Sequence, residues 1–159
     1  MMKEENDPKH FIESIFDEYA NATPTIIEGY TNALEMLSQQ LYAVDTRFVL
    51  ELLQNADDNE YDIATTPAVI VKYEDDKFVF INNELGFKAP NVKALCSTGK
   101  STKANRKQKY TGEKGIGFKS VFKVSDCPHI HSGGFHFKFD LKGEHNFRYL
   151  APIWIPSDN

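Results

Sequence analysis

The stretch of sequence that decides the fold is Glu51-Leu52-Leu53-Gln54-Asn55-Ala56-Asp57-Asp58. It continues a helical pattern that we predict to begin at Asp45, a residue type that caps helix N-termini. Within the stretch, Glu51, Asn55 and Asp58 are spaced i, i+4 and i+7, so their side chains project from one face of the helix. The pattern therefore predicts a helix that carries a continuous polar stripe.

The residue types on this stripe suit nucleotide chemistry better than they suit an ordinary solvated helix face. The carboxylate of Glu51 can accept a proton from an attacking water, and the amide oxygen of Asn55 is a suitable hard ligand for Mg²⁺. Asp57 and Asp58 lie near a helix C-terminus, where the helix dipole disfavours acidic side chains by roughly 0.3–1 kcal/mol each. Neighbouring apolar residues are expected to face the core and to place the stripe at the edge of a cavity; they are Phe48, Leu52 and Leu53.

A second stretch, Thr111-Gly112-Glu113-Lys114-Gly115-Ile116-Gly117-Phe118, brings three glycines to the predicted start of a helix. Glycine lets the backbone approach a ligand closely, and amide groups at a helix start can bind an anion. Residues 93–123 contain nine Lys or Arg and one acidic residue, although the whole chain has a net charge of -5. These features favour a phosphate-binding loop over a simple tight turn, and they leave a nucleic-acid backbone as the alternative anion.

The remaining apolar residues predict helices and strands in alternation. The predicted elements are a helix within the first twenty residues, a helix capped by Thr23 and running to Leu41, a hairpin of 68–73 and 77–81, a short helix over 90–96, and strands over 135–139 and 149–155. Their order indicates an α+β two-layer sandwich, with helices on one face of a mixed, mostly antiparallel sheet.

Two familiar phosphate-binding motifs do not fit. Gly99-Lys100-Ser101 is similar to the end of a P-loop, but Ala94 stands where that motif requires a glycine. The glycine order here is G-x-x-G-x-G after a polar loop, whereas the dinucleotide fingerprint is G-x-G-x-x-G after a strand. Walker-type and Rossmann-type sites are therefore disfavoured.

Other classes of site and location are also disfavoured. Cys96 and Cys127 are too few for a disulfide framework, and we expect both to be reduced structural thiols. His129, His131 and His136 lie in a strand pattern and have no partner at a zinc-like interval. No apolar run of the length of a membrane span occurs, so we expect an intracellular protein, cytoplasmic or nuclear, with no membrane partner.

The stretch 51–58 resembles the N box of the Hsp90-like (GHKL) ATPases. Its residues Leu52 to Asp58 are similar to those of the sacsin and NO VEIN-like branch. Three further motifs follow in the order of that family and at compatible spacing: 82–87, 94–102 and 112–120. The resemblance implies a Bergerat-type fold, in which ATP or ADP binds with Mg²⁺ between the helices and the sheet, under a movable lid that matches residues 103–111.

The resemblance also implies roles for individual residues. Glu51 would activate water, Asn55 would ligate Mg²⁺, and Asp58 would line the pocket. Asn82 and Gly86 match the adenine-binding motif. The implied cofactor-binding residues also include Lys100, Ser101 and Thr102, which approach phosphate or ribose, and Gly112, Gly115 and Gly117, whose backbone wraps the phosphates. Lys114, Ile116 and Phe118, in the same stretch, complete the set.

The adenine-binding motif departs from the family pattern. The superfamily usually has D-x-G-x-G, and this chain has Asn82-Asn83-Glu84-Leu85-Gly86. An Asn carbonyl can accept the hydrogen bond of the adenine amino group but lacks the charge that strengthens it, so we expect weaker adenine binding or an altered base preference. Asn82 is the preferred alignment to the family Asp, with Asn83 as the alternative.

Taken together, the sequence predicts one domain, in which helices of residues 1–40 pack on an ATP-binding core of residues 41–159. The expected function is slow ATP hydrolysis coupled to lid closure, within a longer chaperone-like or defence-related protein that has downstream domains. An isolated piece is expected to be weak or inactive as an ATPase. The alternatives are a nucleotide sensor that does not hydrolyse and a nucleic-acid-binding domain that uses the Lys-rich loop.

Overall fold

The computed structural model describes residues 7–41, 47–97, 117–145 and 147–157. Its elements are α1 (Pro8–Ala20), α2 (Pro24–Leu41), α3 (Arg47–Asp57), β1 (Val69–Glu74), β2 (Lys77–Asn82), α4 (Ala89–Leu95), a 3₁₀ helix (Lys119–Lys123), β3 (His129–Ser132), β4 (Phe135–Lys138) and β5 (Ile153–Trp154). The α+β class predicted from the sequence is confirmed. Within the described ranges, no helix is both long enough and apolar enough to cross a membrane.

The helix starts follow local capping signals. The Asp7 carboxylate accepts a hydrogen bond from the backbone N–H of Lys9 at 3.1 Å, and Pro8 occupies the first turn of α1. At α2, the Thr23 carbonyl accepts a hydrogen bond from the N–H of Ile26 at 3.0 Å. The helix begins at Pro24, directly after Thr23, as predicted. The start of α3, predicted at Asp45, lies outside the described residues.

Local signals also set the first hairpin. β1 and β2 pair antiparallel, with Val69 opposite Asn82 and Glu74 opposite Lys77. Asp75 and Asp76 connect the strands with positive φ values of 49° and 60°, the backbone of a two-residue turn that matches the twist of a hairpin. The predicted hairpin is therefore confirmed, with the turn narrowed to two residues.

The single sheet expected from the sequence is not what the described strands form. β1 and β2 make a two-stranded sheet, and β3, β4 and β5 make a separate antiparallel sheet in that order. The two sheets meet through loops, because the segment after β2 packs against the turn between β3 and β4, where a Cβ on Gly86 would come within 2.8 Å of Gly133 Cα. Such pairing is set by contacts distant in sequence, which the alternation of side chains along one strand does not encode.

The main core lies between α1, α4, the 3₁₀ helix and β4. Phe137 and Phe139 have no exposed surface, and the rings of Phe122 and Phe139 lie edge to face with centroids 5.6 Å apart. The buried members of this cluster are Ile12, Ile15, Val92, Leu95, Cys96, Phe118, Phe122, Phe135, Phe137 and Phe139. The alternating Phe strand is thus confirmed as one with a buried face.

Two sequence expectations need correction or narrowing. Leu53 is 41% exposed, so the prediction that it faces the core is wrong, although Leu52 does pack against the core cluster. Leu53 is five residues from Phe48 and so points away from the side of α3 that Phe48 uses for packing. Of the strand predicted over 149–155, the structure keeps only β5, because turn hydrogen bonds from Leu150 and Ala151 to the Phe147 carbonyl precede it.

His145 links the stability of this fold to pH. Its ring stacks on Phe147 with centroids 4.6 Å apart, and neither ring nitrogen has a hydrogen-bond partner within the described part of the chain. Burial lowers the pKa of His145 below 6.5, and the Arg148 guanidinium lowers it further, while Asp140 acts in the opposite direction. The folded chain therefore holds the proton at His145 more weakly than the unfolded chain does.

We expect the free energy of unfolding to fall as the pH drops below about 6.5, because the unfolded chain then binds a proton at His145 that the folded chain disfavours. Above that pH the imidazole is neutral in both states and contributes no pH dependence. His145→Phe keeps a stacked ring that cannot titrate. Its free energy of unfolding in urea should therefore change less than that of the wild type between about pH 7.5 and about pH 5.5. Equal changes would contradict the prediction; His10→Phe, at an exposed position of α1, is the control.

Candidate functional site

The polar stripe of α3 has the geometry expected from its spacing. The helix ends at Asp57, and the N–H of Asp58 donates to the Gln54 carbonyl at 3.0 Å, which extends the helical bonding by one residue. Glu51, Asn55 and Asp58 consequently share one face. All three are half-buried, so the stripe is not a freely solvated surface.

Contacts at both ends align α3 with β2. At one end, the rings of Phe48 and Phe78 lie edge to face with centroids 5.1 Å apart. Beyond the other end, the Glu60 carbonyl accepts a hydrogen bond from the N–H of Leu85 at 2.9 Å. Asn55 lies seven residues after Phe48 and therefore on the same face of the helix. The amide of Asn55 thus lies on the side of α3 that faces the hairpin.

The two asparagines after β2 have different positions. Asn82 lies four residues after Phe78 in the same strand, so it shares the face that packs towards α3. Asn83 instead holds the base of the hairpin: its side chain accepts from the N–H of Ala68 at 2.7 Å and donates to the Thr66 carbonyl at 2.9 Å. Asn83 is thus engaged by the hairpin, and the alignment of Asn82 with the Asp of the Hsp90-like pattern stays a prediction.

Gly117 is where the glycine-rich stretch meets the polar stripe. A Cβ at this position would overlap the Glu51 carboxylate at Oε2, so that oxygen lies directly against the glycine backbone. The other oxygen of Glu51, Oε1, lies 3.7 Å from Nε of Arg47, one helical turn earlier. From the core side, the Ser120 hydroxyl donates to the Gly117 carbonyl at 2.7 Å. Two regions 66 positions apart in the sequence therefore meet at this point.

Gly86 has a structural explanation of its own. Its φ of 91° favours glycine, and a Cβ on it would lie 2.8 Å from the Cα of Gly133. The same two loops are joined by the Ser132 hydroxyl, which accepts from the N–H of Phe87 at 2.9 Å and donates to Glu84 at 3.0 Å. The glycine is thus required for loop docking, and its contact with a nucleotide stays a prediction.

Phe118 is the other described residue of the glycine loop, and its side chain belongs to the core. It is 8% exposed and lies 6.1 Å from the ring of Phe139, measured between centroids. Only its backbone is left for a ligand, and its contact with a nucleotide stays a prediction. The remaining predicted residues lie outside the described part of the chain and stay predictions: Lys100, Ser101, Thr102, Gly112, Lys114, Gly115 and Ile116.

The oxygens of the stripe fit Mg²⁺ held jointly with a phosphate. Glu51, Asn55 and Asp58 offer carboxylate and amide oxygens, the ligands that this hard cation prefers. In the described ranges, no three His, Cys, Asp or Glu side chains are grouped so as to hold a metal ion. Mg²⁺ commonly takes only one or two protein oxygens and completes its shell with waters and phosphate oxygens. The described residues therefore offer a partial set of oxygen ligands, and Mg²⁺ binding stays a prediction.

The histidines singled out in the sequence lie on the outer face of the second sheet. His131 and His136 are directly opposite each other in β3 and β4, with their Nδ1 atoms 3.0 Å apart. The ring of His136 also lies edge to face on Trp154, with centroids 5.7 Å apart. The contact between His131 and His136 is an ordinary cross-strand pair of a sheet surface.

Sequence reasoning missed three polar residues near the site. Arg47 could have been found, because it precedes Glu51 by four residues with opposite charge on a predicted helix. Lys119 and Ser120 are buried, at 4% and 1% exposure, and carried no such signal. A lysine in a strongly basic segment is normally solvated, and only the tertiary fold reveals that this one is not.

The comparisons with known proteins agree with one branch of the resemblance. Protein NO VEIN of Arabidopsis thaliana is 51% identical over 124 residues, which is 78% of this chain and 4% of that protein. Human Sacsin is 33% identical over 106 residues, which is 58% of this chain and 2% of that protein. The chain therefore spans only a small part of either relative, and no solved structure matches it. The family model described as the Sacsin domain matches residues 64–148, more than half of the sequence, so the chain belongs to the sacsin domain family.

Proposed function

We propose that this chain is an ATP- and Mg²⁺-binding module of the GHKL type, with a Bergerat-like arrangement and slow hydrolysis. The observation that carries the proposal is the contact between the Glu51 carboxylate and the backbone of Gly117. It brings a group able to accept a proton to the last glycine of a stretch suited to binding phosphate. The similarity to Protein NO VEIN and Sacsin supports membership of the sacsin domain family alone.

The residues of the site divide the work by their chemistry. Asn55 and Asp58 supply hard oxygens on the hairpin-facing side of α3, where Mg²⁺, when bound, would neutralise phosphate charge. Glu51 accepts the proton of an attacking water, and the Arg47 guanidinium beside it orients the carboxylate. The amide of Asn82 accepts a hydrogen bond from the base more weakly than a carboxylate would.

The experiment is a calorimetric titration of Mg-AMPPNP into the wild type, Asn55→Ala and Asn32→Ala. Asn32 lies on an exposed face of α2, so its variant makes the same chemical change away from the site. We expect saturable binding by the wild type and by Asn32→Ala, and at least a tenfold loss for Asn55→Ala, equivalent to about 1.4 kcal/mol.

Repeating the titration at two salt concentrations separates the alternatives. Binding that resists salt and depends on Asn55 supports a nucleotide pocket. Binding that weakens steeply with salt and ignores Asn55→Ala would instead favour contact between the Lys-rich segment and a nucleic-acid backbone. Nucleotide binding without phosphate release would favour the non-hydrolysing sensor.

A further inference from the structure

Lys119 is a charged residue placed in the core. It is 4% exposed, and its ammonium donates hydrogen bonds to the carbonyl oxygens of Leu95, at 2.6 Å, and of Tyr149. The same ammonium lies 4.6 Å from the centroid of the Phe139 ring and 5.4 Å from that of Phe122. Leu95 is the last residue of α4, so Lys119 supplies a cation where the helix dipole favours one.

Burying the Lys119 ammonium costs free energy of folding, because the charge loses its hydration. The partners named above carry no full charge, and burial lowers the pKa of Lys119 from 10.5 to about 8, with a partial offset from Cys96. Burial therefore disfavours the charged form of Lys119. A buried ion pair can often be replaced by apolar residues of similar volume without loss of stability, so buried charge is weak evidence for a role in stability. A role of Lys119 in fixing the local conformation is therefore the explanation that we test.

Ser120 adds a second buried polar group next to the first. It is 1% exposed, and its hydroxyl donates to the Gly117 carbonyl at 2.7 Å. Lys119 fixes the same turn to α4 and to the segment before β5. The backbone of Gly117 is thus held from the core side by these two residues, while its other side meets the Glu51 carboxylate.

We propose that Lys119 and Ser120 are positioning residues that hold Gly117 against Glu51 and so set the affinity of the site for nucleotide phosphate. The part of this proposal that concerns affinity rests on the proposed function. The part that concerns the position of Gly117 does not, because it can be measured without any ligand.

The test uses Lys119→Met and Ser120→Ala, with Lys123→Met as the matched control. Lys123 lies on the same 3₁₀ helix but is exposed, so its variant removes an equal charge without opening the core. Without ligand, the readout is the shift of the Gly117 amide NMR signal caused by Glu51→Gln in each background. With Mg-AMPPNP, the readout is the dissociation constant, and thermal unfolding reports whether each variant is folded.

We expect Lys119→Met and Ser120→Ala to remain folded, to lose at least half of the Gly117 response to Glu51→Gln, and to bind Mg-AMPPNP about tenfold more weakly. Lys123→Met should match the wild type in both readouts. An unchanged Gly117 response in the folded variants would overturn the proposal, and Ser120→Ala decides alone if Lys119→Met does not fold. If the wild type binds no nucleotide, the proposed function fails, while the Gly117 response still decides whether these residues position the glycine.

Discussion

Gly117→Ala is expected to remove most nucleotide hydrolysis while leaving the chain folded. The added methyl group would overlap Oε2 of Glu51, so the carboxylate must leave its position against the glycine backbone. The overlapping atom is the end of a flexible side chain, and the fold can accommodate its movement with little loss of stability. The hydrolysis rate should not tolerate that movement, because a general base accelerates the reaction by about 10²–10⁴-fold only when it is correctly placed.

The measurement is single-turnover phosphate release from Mg-ATP with protein in excess, made in a longer protein that contains this domain because an isolated piece is expected to be a weak ATPase. Thermal unfolding of each variant is measured beside it. We expect release to fall by about 10²-fold or more in Gly117→Ala. Gly29→Ala is the matched control, since a Cβ on Gly29 in α2 meets nothing within 4 Å, and the change should raise stability slightly by favouring the helix. Phosphate release at the wild-type rate in Gly117→Ala would contradict the role of Glu51 as the general base.

Gly133→Ala is expected to be the most destabilising single methyl addition in the described chain. Gly133 has a φ of 60°, and a Cβ there would overlap the backbone carbonyl of Phe87, which cannot move aside as a side chain can. The change would therefore separate the two loops that join the sheets. Left-handed strain alone accounts for roughly 1–2 kcal/mol, and the backbone overlap should bring the loss above about 3 kcal/mol.

The neighbouring glycine separates these two contributions. Gly134 has a φ of 83°, but a Cβ on it would meet only Pro8 Cγ at an ordinary distance of 3.7 Å. In urea denaturation, Gly134→Ala should therefore lose only the roughly 1–2 kcal/mol of left-handed strain. Equal losses at the two positions would mean that the docking of Phe87 on the β3–β4 turn does not hold the sheets together.

Local patterns in the sequence were sufficient for the elements but not for their assembly. The start of α2 after Thr23, the β1–β2 hairpin and the buried Phe face of β4 follow from capping, turn chemistry and alternation, all of which act within a few residues. The separation into two sheets does not, because it depends on loops that meet across 47 positions, from Gly86 to Gly133.

In the candidate site, too, local features could be predicted from the sequence and tertiary contacts could not. The shared face of Glu51, Asn55 and Asp58 could be predicted, since it needs only helical spacing. The burial of Lys119 could not, because its acceptors are carbonyls of α4 and of the segment before β5. Gly86 lies in a motif with a predicted functional role, but its positive φ and its close contact with Gly133 already require a glycine.

Nucleotide binding where α3 meets Gly117, as we propose, is tested most directly by an NMR titration with Mg-ADP at moderate salt. We predict that the backbone amide signals of residues 51–58 and of Gly117 shift together and saturate, while those of the outer strand residues His129 and His131 stay unchanged. Shifts confined to the Lys-rich segment 99–114, with residues 51–58 and Gly117 silent, would contradict it.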